Sequence, residues 1–93
     1  MQKLKVKVKF NSTTRKSFPC LYYAYRPHFV VDGDSEILGV EFLESDLNEF
    51  DVFGEAIVKL LYDGVGYRKL QKGVKFKIVE GGATVVGEGY VLA

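Results

Sequence analysis

Ninety-three residues, 47% of them hydrophobic and 27% charged, are enough for one modest core, and residues 1–93 are expected to form a single domain. No Pro- or Ser-rich tract marks a disordered tail, and the single Cys20 excludes an intramolecular disulfide. No segment approaches the roughly 20 apolar residues of a membrane helix, since Ala56–Tyr62 is broken by Lys59 and stopped by Asp63-Gly64. The net charge of +1 conceals a segregation: residues 1–31 sum to +7, 32–63 to −9 and 64–93 to +3, so a fold that gathers the first and last thirds on one side acquires a basic and an acidic face.

Met1-Gln2-Lys3 leads into a charged strand and not into an apolar signal-peptide core, which together with the lone cysteine points to the cytoplasm. Lys3–Phe10 alternates without a fault, so in a strand Leu4, Val6, Val8 and Phe10 face the core and four lysines face outward. A polar turn at 11–17 follows. The aromatic run from Phe18 to Phe29 is interrupted by Pro19 and Pro27, which predicts a short strand near Cys20–Tyr23 and another over His28–Val31. Asp32-Gly33-Asp34-Ser35 then turns the chain, making a hairpin of Phe29–Val31 and Ile37–Phe42. Glu44–Asp51 reads as an acidic loop with room for one helical turn. Ala56–Tyr62 suits a buried strand, although periodicity alone also admits a helix, and a basic connection with Arg68, Lys69 and Lys72 leads on to Val74–Ile78. Gly81-Gly82 turns the chain into a last strand, Thr84–Leu92. Six or seven short strands with glycine turns predict an all-β antiparallel barrel or small sandwich.

Catalytic and metal-binding motifs are missing. One histidine and one cysteine cannot assemble a zinc site within the chain, and no cofactor or other metal is expected. The Asp32–Glu36 turn lacks the glycine and the glutamate of a calcium loop. Gly82-Ala83-Thr84-Val85-Val86-Gly87 has the glycine spacing of a phosphate loop, but Glu88 stands where lysine is required, so Gly81, Gly82, Gly87 and Gly89 read as turn and bulge residues. His28 has no sequence context that joins it to Cys20, Ser12, Ser17 or Ser35 and an orienting carboxylate. The expectation is therefore a binding module and not an enzyme. The lysine row at Lys3, Lys5, Lys7 and Lys9 is open to two readings: a solvated face that guards against edge pairing, or a phosphate-binding stripe with lysines roughly 7 Å apart.

Two segments carry a resemblance. Tyr25-Arg26-Pro27-His28-Phe29 is similar to a Gly-Tyr-Arg-Pro-Gln-Phe element, and Phe76-Lys77-Ile78-Val79-Glu80-Gly81-Gly82-Ala83-Thr84-Val85 to a Phe-Ala-Ile-Arg-Glu-Gly-Gly-Arg-Thr-Val hairpin, both of the C-terminal β-barrel (third domain) of translation elongation factor Tu. Arg15 ahead of Pro19, and Gly54-Glu55 in place of Pro-Gly-Asp, extend the likeness over most of the chain. The resemblance implies a single closed six-stranded antiparallel barrel with no catalytic role. In that family the domain packs on a GTPase domain, touches the acceptor and T stems of aminoacyl-tRNA and helps form the surface used by the nucleotide-exchange factor. These 93 residues contain no nucleotide-binding motif, so neither a nucleotide nor GTP-driven delivery of tRNA is expected of them.

Carried over by position, the resemblance implies RNA contacts at Arg15, Lys16, Arg26, His28, Glu80 and Gly81, backed by a basic face of Lys3, Lys5, Lys7, Arg68, Lys69 and Lys72. Alternatively, Arg26 pins the chain locally and Glu80 caps its hairpin. The chain departs from the pattern at Ala24, where the family has Gly, at Ala83, where it has Arg, at an extra residue before Gly87, and in a longer 62–72 connection. The leading expectation is a module for tRNA-like RNA. The other is a translation-related protein-interaction module, docking a translation factor, a toxin or its own copy through the acidic stretch Asp32–Asp51 or the former GTPase-facing surface, a reading that an exposed apolar patch containing Phe50, Phe53 or Tyr67 would favour.

Overall fold

The computed structural model describes residues 3–15, 17, 24–62, 64–81 and 83–93. They form six strands, β1 (Lys3–Phe10), β2 (His28–Val31), β3 (Leu38–Ser45), β4 (Gly54–Leu60), β5 (Lys75–Glu80) and β6 (Thr84–Val91), with a short 3-10 helix at Val65–Lys69. Every neighbouring pair is antiparallel, and the order β1-β4-β3-β2-β5-β6 closes on itself as a barrel. The predicted all-β barrel is thus the observed one, with six strands. The short strand expected near Cys20–Tyr23 lies outside the described residues. None of the described helices is long and apolar enough to cross a membrane.

Alternation explains how the barrel fills. In β1 the side chains of Val6 and Val8 are fully buried and Phe10 nearly so, while the intervening lysines stay wholly or partly in water. The Phe29 ring stacks on Phe76 at 3.9 Å and meets Phe42 edge-on at 6.1 Å, so β2, β5 and β3 are joined through one aromatic column. Strand β2 pairs with β3 only through His28 opposite Gly39 and Phe29 opposite Leu38. The seam continues beyond it because the carbonyls of Pro27 and Tyr25 accept from the amides of Val40 (3.1 Å) and Phe42 (2.9 Å). Strand β2 begins just after Pro27, as expected, but the seam is not broken there, since the ladder uses the Pro27 carbonyl.

Three local readings change. The acidic loop begins only after Ser45, because Glu44 and Ser45 belong to β3, and it contains no helical turn. Instead the Asp46 carboxylate accepts the Glu55 amide at 2.8 Å, and Asp51, at φ 63°, accepts both the amide and the hydroxyl of Ser12. Asp and Asn side chains satisfy backbone donors in turns without a helix. Gly87 and Gly89 are not turn residues. They lie buried inside β6, and a Cβ on either would stand 2.4 Å from the Lys9 carbonyl or 2.3 Å from that of Lys7, so glycine lets β6 press against β1. The bulge itself sits one residue earlier: Ile78 pairs with Gly87 and Val79 with Val85, leaving Val86 as the extra residue of β6. Gly81, at φ 61°, does make a turn, as expected, and Gly82 lies outside the described residues.

Candidate nucleic-acid interface

Arg15, Glu80 and Gly81 meet at one end of the barrel. The Glu80 carboxylate accepts from Arg15 Nε at 2.9 Å and from the Tyr25 hydroxyl at 2.5 Å, both on Oε2. Arg15 also donates to the Ser17 carbonyl and lies 5.3 Å from the centre of the Tyr25 ring. That ring packs in turn against Phe10 and Phe42. Burial, and then the neighbouring Glu80 carboxylate, raise the Tyr25 pKa well above its ordinary value, so the hydroxyl keeps its proton and donates. The three side chains form a lid on the core, and the charges of Arg15 and Glu80 are directed at each other.

The remaining expected residues disperse. Arg26 binds Glu41 at 2.9 Å, with Lys59 adding a weaker contact at 3.9 Å. His28 is half-buried on β2, between Gly39 and Val79. Lys5 pairs with Glu55 at 3.1 Å. Lys69 binds both Asp34 at 2.6 Å and Glu36 at 2.9 Å. Arg68 and Lys72 border a cleft of about 440 Å³ at the opposite end, floored by Leu4, Leu60, Leu70 and Val91. Lys3 is exposed and stands opposite Lys59 in the register. Lys16 lies outside the described residues.

The expected charge segregation becomes spatial on one side of the barrel. Strand β6 lies between β1 and β5, and the register of the three builds two rows of outward side chains. In one row Tyr90 stands between Lys7 and Lys75, and in the next Glu88 stands between Lys9 and Lys77. The rows are roughly 7 Å apart and adjacent strands about 4.8 Å apart, so four ammonium groups surround one tyrosine and one glutamate. None of the four lysines makes an ion pair among the described residues. Phe53, from the loop before β4, leans over this face, its ring centre 6.0 Å from that of Tyr90 and 5.1 Å from the Lys9 ammonium. A groove of about 210 Å³ opens between Phe53, Tyr90, Lys75, Lys77 and Glu88.

Sequence reasoning selected Lys7 for RNA and Phe53 only for a protein partner, and it did not select Lys75, Lys77 or Tyr90. Their signal was there, in the second alternating lysine pair at Lys75 and Lys77 and the outward phase of Tyr90. What was lacking was the knowledge that β6 lies between β5 and β1. Among the described residues no group of three or more His, Cys, Asp and Glu side chains is placed to hold a metal ion. No protein-family model matches the chain, and no curated protein matches it.

Proposed function

We propose that this chain is a non-catalytic RNA-binding module of the elongation factor Tu C-terminal barrel type, and that it holds tRNA-like RNA on the β1–β6–β5 face. The observation that carries the reading is the set of four lysines on one sheet face, Lys7, Lys9, Lys75 and Lys77, none of them in an ion pair among the described residues, although Glu55 stands opposite Lys7 and the Asp51 carboxylate lies within electrostatic reach of Lys9. Cations already bound to carboxylates must break those contacts before they meet phosphate, and free ones need not.

Two details support kinship with the barrel family. Ala24 adopts φ 58°, a left-handed conformation that costs a residue with a Cβ about 1–2 kcal/mol, and it occupies the position where the resembled pattern carries glycine. The extra residue before Gly87 falls at the Val86 bulge, where a strand absorbs an insertion without losing register on either side.

The test is a titration of the protein with bulk tRNA at several salt concentrations. With about four phosphates neutralised, the log-log slope should be about −3 to −4. Lys75→Glu with Lys77→Glu should weaken binding by more than about 10-fold, and Arg15→Gln with Arg26→Gln by less than about 3-fold. Absence of binding at low salt, or affinity indifferent to salt, would sink the proposal.

A second reading, docking of a translation-related protein, draws on the exposure of Tyr62 (70%) and Val65 (74%) near the far cleft. Of the aromatics named for that role, Phe50 and Tyr67 are packed on the core and only Phe53 is exposed. A discrete complex with a translation factor, formed without RNA and lost on Tyr62→Ser, would favour it.

A further inference from the structure

We infer that the RNA segment lying on this face is single-stranded, with an unpaired base seated in the groove beside Tyr90 and Phe53. The inference rests on the RNA-binding reading above and specifies its ligand. Phe53 is 41% exposed although it belongs to a loop that touches the barrel, and its ring sits over Tyr90 and not over the core. Two aromatic rings stand here among lysines, beside a groove whose other lining is Asp32, Lys75, Lys77 and Glu88 over Phe76 and Gly89. They do match what a single strand presents: phosphates along one edge and base faces along the other.

The spacing agrees with that. Lys7 and Lys75 flank Tyr90 across the strands, so a backbone running along either β1 or β5 passes two lysines roughly 7 Å apart while its base turns toward the tyrosine. Glu88 sits between the other two lysines, where it would repel a phosphate but accept a hydrogen bond from a base amino group or a ribose hydroxyl. Asp32 at the groove mouth has the same preference. An A-form duplex keeps its bases stacked inside and offers neither a ring face to Tyr90 nor a free base edge to Glu88. The groove, at about 210 Å³, is large enough to take a flat ring partly inserted and too small for a paired one.

Fluorescence anisotropy with a 5′-labelled unstructured 12-nucleotide RNA, free or annealed to its complement, tests this. The single strand should bind at least about 10-fold more tightly than the duplex, and Tyr90→Ala should lower single-strand affinity about 10-fold with little effect on the duplex. Tyr90→Phe keeps the ring and should bind as the parent does. Phe53→Ala, in an exposed loop, should weaken the single strand by about 3- to 10-fold and provides the answer if Tyr90→Ala is unstable. Equal or tighter binding of the duplex, or indifference of the single strand to both aromatic substitutions, overturns the inference while leaving a salt-dependent RNA module standing. Failure of both RNAs and of tRNA to bind overturns the RNA reading itself.

Discussion

The Glu80 end of the barrel and the β1–β6–β5 face are both rich in charge, yet they handle it in opposite ways. At the end, Arg15, Tyr25 and Glu80 saturate one another over the aromatic core, and Arg26 is held by Glu41 close by. On the face, four lysines surround a tyrosine with one glutamate among them and make no ion pair among the described residues. The first arrangement fastens Arg15 and the 24–27 segment to the core. The second ties only the Phe53 loop to the sheet, through Tyr90 and Lys9. A charged residue in a binding-like motif is available to a ligand only if the fold has not already matched it.

The face depends on how closely β6 can approach β1. Gly89→Ala should therefore have the largest effect on stability: the new Cβ would sit 2.3 Å from the Lys7 carbonyl, 2.7 Å from Val8 Cγ1 and 3.1 Å from the Phe76 ring. Backbone must move to admit it, at a cost of about 2–3 kcal/mol in urea denaturation, and RNA affinity should fall with it because Lys7 and Tyr90 lose their register. Gly64→Ala, where a Cβ meets nothing within 4 Å, should change stability by less than about 0.5 kcal/mol. Equal effects of the two would show that the β1–β6 seam yields more easily than its contacts imply.

Glu80→Gln separates the two regions. It keeps an acceptor for Tyr25 but removes the charge facing Arg15, in a pair whose side chains are 31% and 19% exposed, so about 1–2 kcal/mol of stability should be lost. RNA affinity should change less than about twofold if the proposed face is the interface, because Glu80 is held by Arg15 and Tyr25 at the barrel end. A loss of affinity larger than the loss of stability explains would return the interface to the barrel end, where the family resemblance first placed it.

Much of the fold was legible because strand alternation is a local property. Lys3–Phe10 coincides with β1, His28–Val31 with β2, and the hairpin through Asp32–Ser35 was placed correctly. The helical turn expected in the acidic loop failed because Asp46 and Asp51 satisfy backbone donors directly, a use of side chains that composition does not reveal. Gly87 and Gly89 were misread because close approach of two strands depends on which strands are neighbours. The site was less legible for the same reason. Arg15 and Glu80 do come together, but as partners 65 positions apart, and Lys75 joins Lys7 only through the intervening Tyr90. Motif position located the charged residues, while their availability was decided by tertiary pairing.

Lys69 offers the smallest test of that principle, because its pairing is exposed and titratable. Its hydrogen bond, followed by those from the Glu36 and Ser35 amides, holds the Asp34 carboxyl at about 2, below its ordinary 3.8. Asp34 and, next, Glu36 raise the pKa of Lys69 in turn. A depressed carboxyl contributes stability that is complete above its unfolded value and is lost as pH falls through the folded one. A raised lysine contributes stability that is complete below its unfolded value and is lost only as pH climbs past the folded one. The tether is thus intact from about pH 4 up to about pH 10 and fails on the acid side first. Thermal midpoints of the parent and of Asp34→Asn, measured from pH 2 to 9, should differ by a small constant amount above about pH 4 and converge toward pH 2, with the difference shrinking in high salt. A gap that persists undiminished at pH 2 would mean that Asp34 acts through the shape of its turn and not through its charge, leaving Glu36 as the carboxylate that holds Lys69.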